Sequence, residues 1–296
     1  MYLFVALLSG MLIAAQSSCS GLMFPVLGTI GVACLSQTLN AISIVFCQGI
    51  AQKRLPSLKG MPPKAALGGF FGIFAVGLTG LCSSLLGPAI TVCLSVAGQL
   101  VSSAVIDQFG WLGAERIPFK KKRLPGFFVI LLGVFLINFS GTTGLGQEAG
   151  AFPLLLLALA AGVFTVFTRM FSFYACQKIG LLNGSFSNVI IGAVAAFVLY
   201  LFMNGFHLSL HLFFQISPVA YLTGICGAGA CILNTIVYKR LKIFKATVLI
   251  IAGQITMGIL LDFAAAGGIS AGKLLGIGVI CLGIGLDKNI SSREQK

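Results

Sequence analysis

Ten apolar runs, most of them near twenty residues long, fill almost the whole chain: approximately 3–22, 25–48, 65–83, 86–107, 124–141, 151–172, 180–204, 217–238, 244–265 and 271–287. No feature restricts the fold more. A hydrocarbon core of about 30 Å is crossed by about 20 helical residues at ~1.5 Å each. Inside lipid the backbone must satisfy its own hydrogen bonds, so each run is expected to be a helix. Charged residues make up only 8% of the chain, against roughly 25% in soluble domains, and the mean hydropathy is +1.06. Together these exclude a soluble fold. The first run has no basic residue ahead of it and is long for a signal peptide, so it reads as a first membrane helix. The expected class is an all-α membrane protein of ten transmembrane helices.

A net charge of +13 would ordinarily suggest nucleic acid, but its placement argues for topology instead. Lys53, Arg54, Lys59 and Lys64 follow the second run; Arg116, Lys120, Lys121, Lys122 and Arg123 follow the fourth. Lys178, then Lys239, Arg240, Lys242 and Lys245, then Lys288, Arg293 and Lys296 continue the alternation. With ten spans, these 17 of the 19 basic residues share one side, and the opposite loops keep only Lys273. That is the positive-inside pattern, with both termini cytoplasmic and the plasma membrane as location. Arg169, late in the sixth run, is expected to snorkel to the same basic side. The partners implied are the bilayer and a small molecule, not nucleic acid.

The chain also repeats itself. Residues 69–107 align with 224–262 without a gap at an offset of 155: Gly69 with Gly224, Gly72 with Gly227, Ala75 with Ala230. "SVAGQLVSSAVID" at 95–107 is answered by "IIAGQITMGILLD" at 250–262. Matching small apolar residues are common in such a chain, whereas Gln99/Gln254 and Asp107/Asp262 are not. Two copies are expected, 1–145 and 146–296. Five spans per copy is an odd number, so the copies must run in opposite senses across the membrane. Inverted repeats of this kind are typical of secondary transporters, with the site at the repeat interface. Gly68/Gly72 and Gly224/Gly227/Gly229 form smooth faces expected to pack helix on helix.

"GQLVSSAVIDQFGWLG" at 98–113, followed by "RLPGFFVILLGV" at 123–134, resembles the YdcZ family of the drug/metabolite transporter superfamily. The second half matches through "AGQ", Asp262 and "KLLGIGV" at 273–279. Many relatives are half-length, and this chain looks like two halves fused. The resemblance implies a ten-helix transporter-like fold in the cytoplasmic membrane. Family members tend to carry a Gln and then an Asn in the first span; here Gln16 stands at the first position and Ser20 at the second.

Polar side chains within spans are functional candidates because burying them in lipid is costly. Gln16, Gln37, Asn40, Gln99 and Gln254 are the candidate substrate-binding residues. An amide offers both donors and an acceptor, which suits neutral or zwitterionic groups; the competing role is interhelical glue. Asp107 and Asp262 end their helices, where a carboxylate opposes the helix dipole. They are candidates for gating or coupling to a proton or cation, or else for ion pairs with Arg116 or Arg123 and with Lys273. No acidic residue falls at mid-span, which disfavours exchange of organic cations for protons. His207 and His211, four apart in an outer loop, lack a nearby carboxylate, and the nine cysteines form no ligand motif, so neither metal nor cofactor is expected. No phosphate-binding loop or catalytic triad is present, so the chain is not expected to be an enzyme or to use ATP. The leading expectation is a secondary-active transporter of a small neutral or zwitterionic metabolite working by alternating access. A non-transporting membrane scaffold is the alternative.

Overall fold

A computed structural model describes residues 2–53, 55–109, 151–203, 214–241 and 243–266, with isolated positions at 129, 132, 275, 278, 279 and 282. The expected fifth and tenth spans, the Arg116–Arg123 loop, Lys273, His207 and His211 lie outside the described residues. So do the side chains of Asp107 and Asp262.

The described chain is helical throughout, with no strand among the described residues. The helices are α1 (Tyr2–Gln52), α2 (Ala66–Leu86), α3 (Pro88–Phe109), α4 (Ala151–Ile179), α5 (Leu181–Met203), α6 (Thr223–Arg240) and α7 (Ile243–Ala266). Short 3₁₀ turns, Pro63–Ala65 and Pro218–Leu222, lead into α2 and α6. Five stretches are long and apolar enough to cross a membrane: Tyr2–Ile50, Pro63–Leu86, Phe152–Ile179, Leu181–Met203 and Pro218–Arg240. Two shorter apolar stretches lie in α3 and α7. The surface is inverted relative to a soluble protein. Phe4, Phe46, Phe202 and Ile225 are exposed, while Gln37, Asn40, Gln99, Asn188 and Gln254 are buried.

At ~1.5 Å per residue, α1 would measure about 77 Å if straight, over twice the bilayer core. It is not straight. Gly28 adopts φ 65 and ψ 179 inside it, and the chain folds back there. Ser36 Oγ lies 3.9 Å from Met23 Sδ, although residues thirteen apart in one helix would be separated by about 20 Å. The two arms therefore correspond to the first two expected spans. The turn differs from the expected one just ahead of Pro25. A proline removes one backbone donor but does not reverse a chain. Reversal requires the positive φ that glycine tolerates.

The halves interlock through their first helices. The first arm of α1 runs antiparallel to α6, with Ser9 bonding Asn234 at 2.6 Å and Ser20 near Thr223 at 3.5 Å. In the same way α4 runs antiparallel to α2. A Cβ on Gly68 would strike Phe171, and one on Gly72 would meet Thr168. Phe71 stacks on Phe164, Phe167 and Phe171. The first arm also crosses α7, and α4 crosses α3, at paired glycines. A Cβ on Gly10 or Gly253 would overlap the carbonyl oxygens of Ile250 or Leu7. A Cβ on Gly98 or Gly162 would overlap those of Leu159 or Ser95. At both crossings backbone lies on backbone, as small residues permit. Ile106 joins Val166 and Met170 in one cluster further along, so α3 and α4 run in the same direction.

Candidate functional site: a polar cavity between the halves

The interlock leaves a cavity of ≈ 130 Å³ between α1, α2, α4, α5 and α6. This is similar to the ~150 Å³ cavity that admits a benzene ring in an engineered lysozyme. Gln16, Gln37 and Asn40 project into it from the two arms of α1. Asn188 enters from α5, Asn234 from α6, and Thr168 and Arg169 from α4.

Glycines make the amides' approach possible. A Cβ on Gly227 would strike Asn40 Oδ1 and Gln16 Nε2, and one on Gly72 would strike Gln37 Nε2. Gly72 and Gly227 are equivalent positions in the sequence repeat, so one local device serves both sides. Asn40 Nδ2 donates to Gln37 Oε1 at 3.3 Å, which ties two of the candidate amides together. Five polar groups on the wall have buried atoms without a partner: Ser17 Oγ, Asn40 Oδ1, Thr168 Oγ1, Asn188 Oδ1 and Arg169 Nη2. Buried polar atoms are rarely left unpaired, since each costs about 1–3 kcal/mol.

The Ala-Gly-Gln repeat resolves into a contact. Gln99 and Gln254, each 1% exposed, face each other across the pseudo-equivalent helices, with Gln99 Nε2 at 3.4 Å from Gln254 Oε1. They do not line the cavity wall. The two side chains stand behind the residues that line the cavity. The stronger bond at this point is from Arg169 Nη1 to Gln99 Oε1, at 2.9 Å and charge-assisted.

Arg169 is the residue that sequence reasoning misplaced. It is only 9% exposed and faces the cavity, rather than snorkelling to the basic side. The sixth span had been expected to end at 172, which put Arg169 near its end. The helix instead continues to Ile179 and stops at Gly180, whose φ is 89. Arg169 thus lies about 15 Å inside the helix end, and its side chain leans toward the N-terminus and the midplane. The available signal was the lone cation in an apolar run, a functional candidate by default. Cys19, Cys34, Cys47, Cys82, Cys176, Cys226 and Cys231 are free, and no metal-binding cluster occurs among the described residues.

Comparison with known proteins agrees with this architecture. A family model described as "Putative inner membrane exporter, YdcZ" matches residues 1–136 and 153–286. No curated protein matches the chain. A solved structure described only as "Crystal structure of protein" is similar over 100% of this chain and 98% of its own, at 17% identity and a TM-score of 0.65; that likeness bears on the fold alone. Apolar helices around a buried polar cavity, with the family's pattern present in both halves, carry the conclusion that the chain belongs to the YdcZ family of drug/metabolite transporters, multi-pass membrane proteins.

Proposed function

We propose that the protein is a secondary-active transporter that moves a small neutral or zwitterionic metabolite by alternating access of two inverted five-helix halves. The observation that carries this reading is the cavity itself, lined from helices of both halves by side-chain amides, hydroxyls and Arg169, several with unpartnered atoms, in an otherwise apolar protein. A scaffold would gain nothing from unpaired buried groups. Gln16, Gln37, Asn40 and Arg169 are the proposed substrate contacts, with Gln99 and Gln254 positioning Arg169. Asp107 and Asp262 remain proposed gating or coupling groups, with a proton or cation as coupling ion.

The paired crossings support the inverted arrangement, since each first helix meets the fourth helix of the other half. The shared direction of α3 and α4 supports an additional crossing between them, the role proposed for 124–141. Both termini are proposed to be cytoplasmic. On an otherwise cysteine-free variant, Gln147→Cys should react with an impermeant reagent from outside and Lys121→Cys should not; the reverse pattern would overturn the topology. The function is tested by solute counterflow into vesicles containing the purified full chain, using a metabolite panel. Flux of at least one compound, absent from protein-free vesicles, is expected. Absence of flux for every class would favour the scaffold.

A further inference from the structure

We propose that Arg169 anchors the carboxylate of a zwitterionic cargo, whose ammonium group is taken by oxygen atoms elsewhere on the cavity wall. The proposal rests on the reading of the cavity as a transport site and narrows it to one substrate class.

The guanidinium is buried, bonded to Gln99 on one side and unpartnered at Nη2 on the other. The whole sequence has six acidic residues, at 107, 115, 148, 262, 287 and 294, and none is among the described residues that line the cavity. A permanent cation is therefore held against the cavity with no carboxylate among its described lining residues. Guanidinium presents a planar fork of donors that matches a carboxylate with two parallel bonds. With Gln99 holding Nη1, the fork is oriented before any guest arrives, and only the guest's charge is missing. A cationic guest would be repelled at short range in a low-dielectric site. A neutral polyol would leave the charge uncompensated.

The remaining unpartnered atoms are all oxygens: Ser17 Oγ, Asn40 Oδ1, Thr168 Oγ1 and Asn188 Oδ1. The hydroxyls can donate or accept, whereas the two amide oxygens only accept. An ammonium group brings three donors and no acceptor, so it complements such a set. A simple anion would satisfy Arg169 but leave the amide oxygens unpaired. A guest with a carboxylate at one end and an ammonium close by satisfies both, and the size of the cavity favours a compact one.

The test uses detergent-purified full-length protein and a panel of short-chain monocarboxylic acids. Each acid is tried with and without an α-ammonium group, and each ammonium-bearing acid also as its methyl ester; inorganic phosphate and a neutral polyol complete the set. The expected result is a rise of several degrees in melting midpoint with at least one zwitterion and none with its ester. Arg169→Gln should remove that rise, and Arg169→Lys should retain part of it. Equal stabilisation by ester and acid overturns the proposal without using any variant, so poor folding of Arg169→Gln cannot hide a failure. It is equally overturned if phosphate or the polyol alone binds, if no acid binds, or if Arg169→Gln keeps the full response. Counterflow separates the two readings. A zwitterion that binds but never crosses leaves the anchor standing and removes the transporter. A neutral solute that crosses equally well in wild type and Arg169→Gln does the opposite.

Discussion

The two places where the halves cross look alike in backbone and differ in chemistry. Gly10 and Gly253 seat the first arm of α1 on α7; Gly98 and Gly162 seat α4 on α3. Exchanging the halves converts one crossing into the other. The side chains further along do not follow the exchange. Where α4 carries Thr168 and Arg169, the corresponding turn of α1 carries Gln16 and Ser17. Packing has kept the symmetry because a glycine crossing leaves no room for alternatives. The cavity does not share it; under the proposal above, a guest with two unlike ends is held best by two unlike walls.

The most damaging way to break the comparison is at the crossings. Alanine at Gly10, Gly98, Gly162 or Gly253 puts a Cβ onto a carbonyl oxygen, and overpacking of this kind costs about 1–3 kcal/mol. Leucine at any of the four should abolish folded protein. Melting midpoints in detergent should fall by similar amounts at equivalent positions. A large loss at Gly98 beside none at Gly253 would show that the crossings are not equivalent.

Moving the charge sharpens the comparison further. In a Ser17→Arg, Arg169→Ser double variant, the symmetry offers Gln254 as the partner that Gln99 provides to Arg169. Ligand-dependent stabilisation should be lost with Arg169→Ser alone and partly restored in the double variant. Lack of any restoration would indicate that the walls differ in more than the position of the cation.

Effects short of lost folding are expected behind the wall. Gln99→Leu removes the acceptor of a charged bond, about 1.5–3 kcal/mol, whereas Gln254→Leu removes only a long neutral contact, about 0.5–1.5 kcal/mol. Chemical denaturation of the solubilised protein should rank them in that order; equal costs would make the glutamine pair itself the structural element. The smallest change is Ser9→Ala. Ser9 bonds Asn234 at 2.6 Å, while the matching positions in the other interlock hold Ala161 and Thr79, and Thr79 instead bonds its own helix at Ala75. The loss should be about 1 kcal/mol by the same denaturation measurement, with ligand response unchanged.

Much of this was legible in the linear chain. Long apolar runs require helices wherever lipid replaces water, so the helical class followed directly. The Ala-Gly-Gln repeat marked Gln99 and Gln254 as equivalent positions; that they touch each other appears only in the structure. Gln16, Gln37 and Asn40 were identified as polar groups in spans, and all three reach the cavity. The turn in α1 was misplaced because Pro25 is the stronger signal in text, while Gly28 carries the positive φ. Arg169 was misread because the helix end was set by bilayer thickness alone, and a shift of seven residues turned an interfacial cation into a buried one.

The sequence alone determined that this chain lives in a membrane, that it is helical, and that a few amides must find partners inside. Those are consequences of local composition, which acts on every residue regardless of what lies opposite. Tertiary structure alone decided which polar groups meet and which stay unpaired. The cavity exists because first helices cross into the opposite half at glycines, bringing residues far apart in the chain into one wall. Whether Arg169 faces lipid headgroups or a guest depends on where its helix ends and which helix lies beside it, and neither is written in the residues next to it.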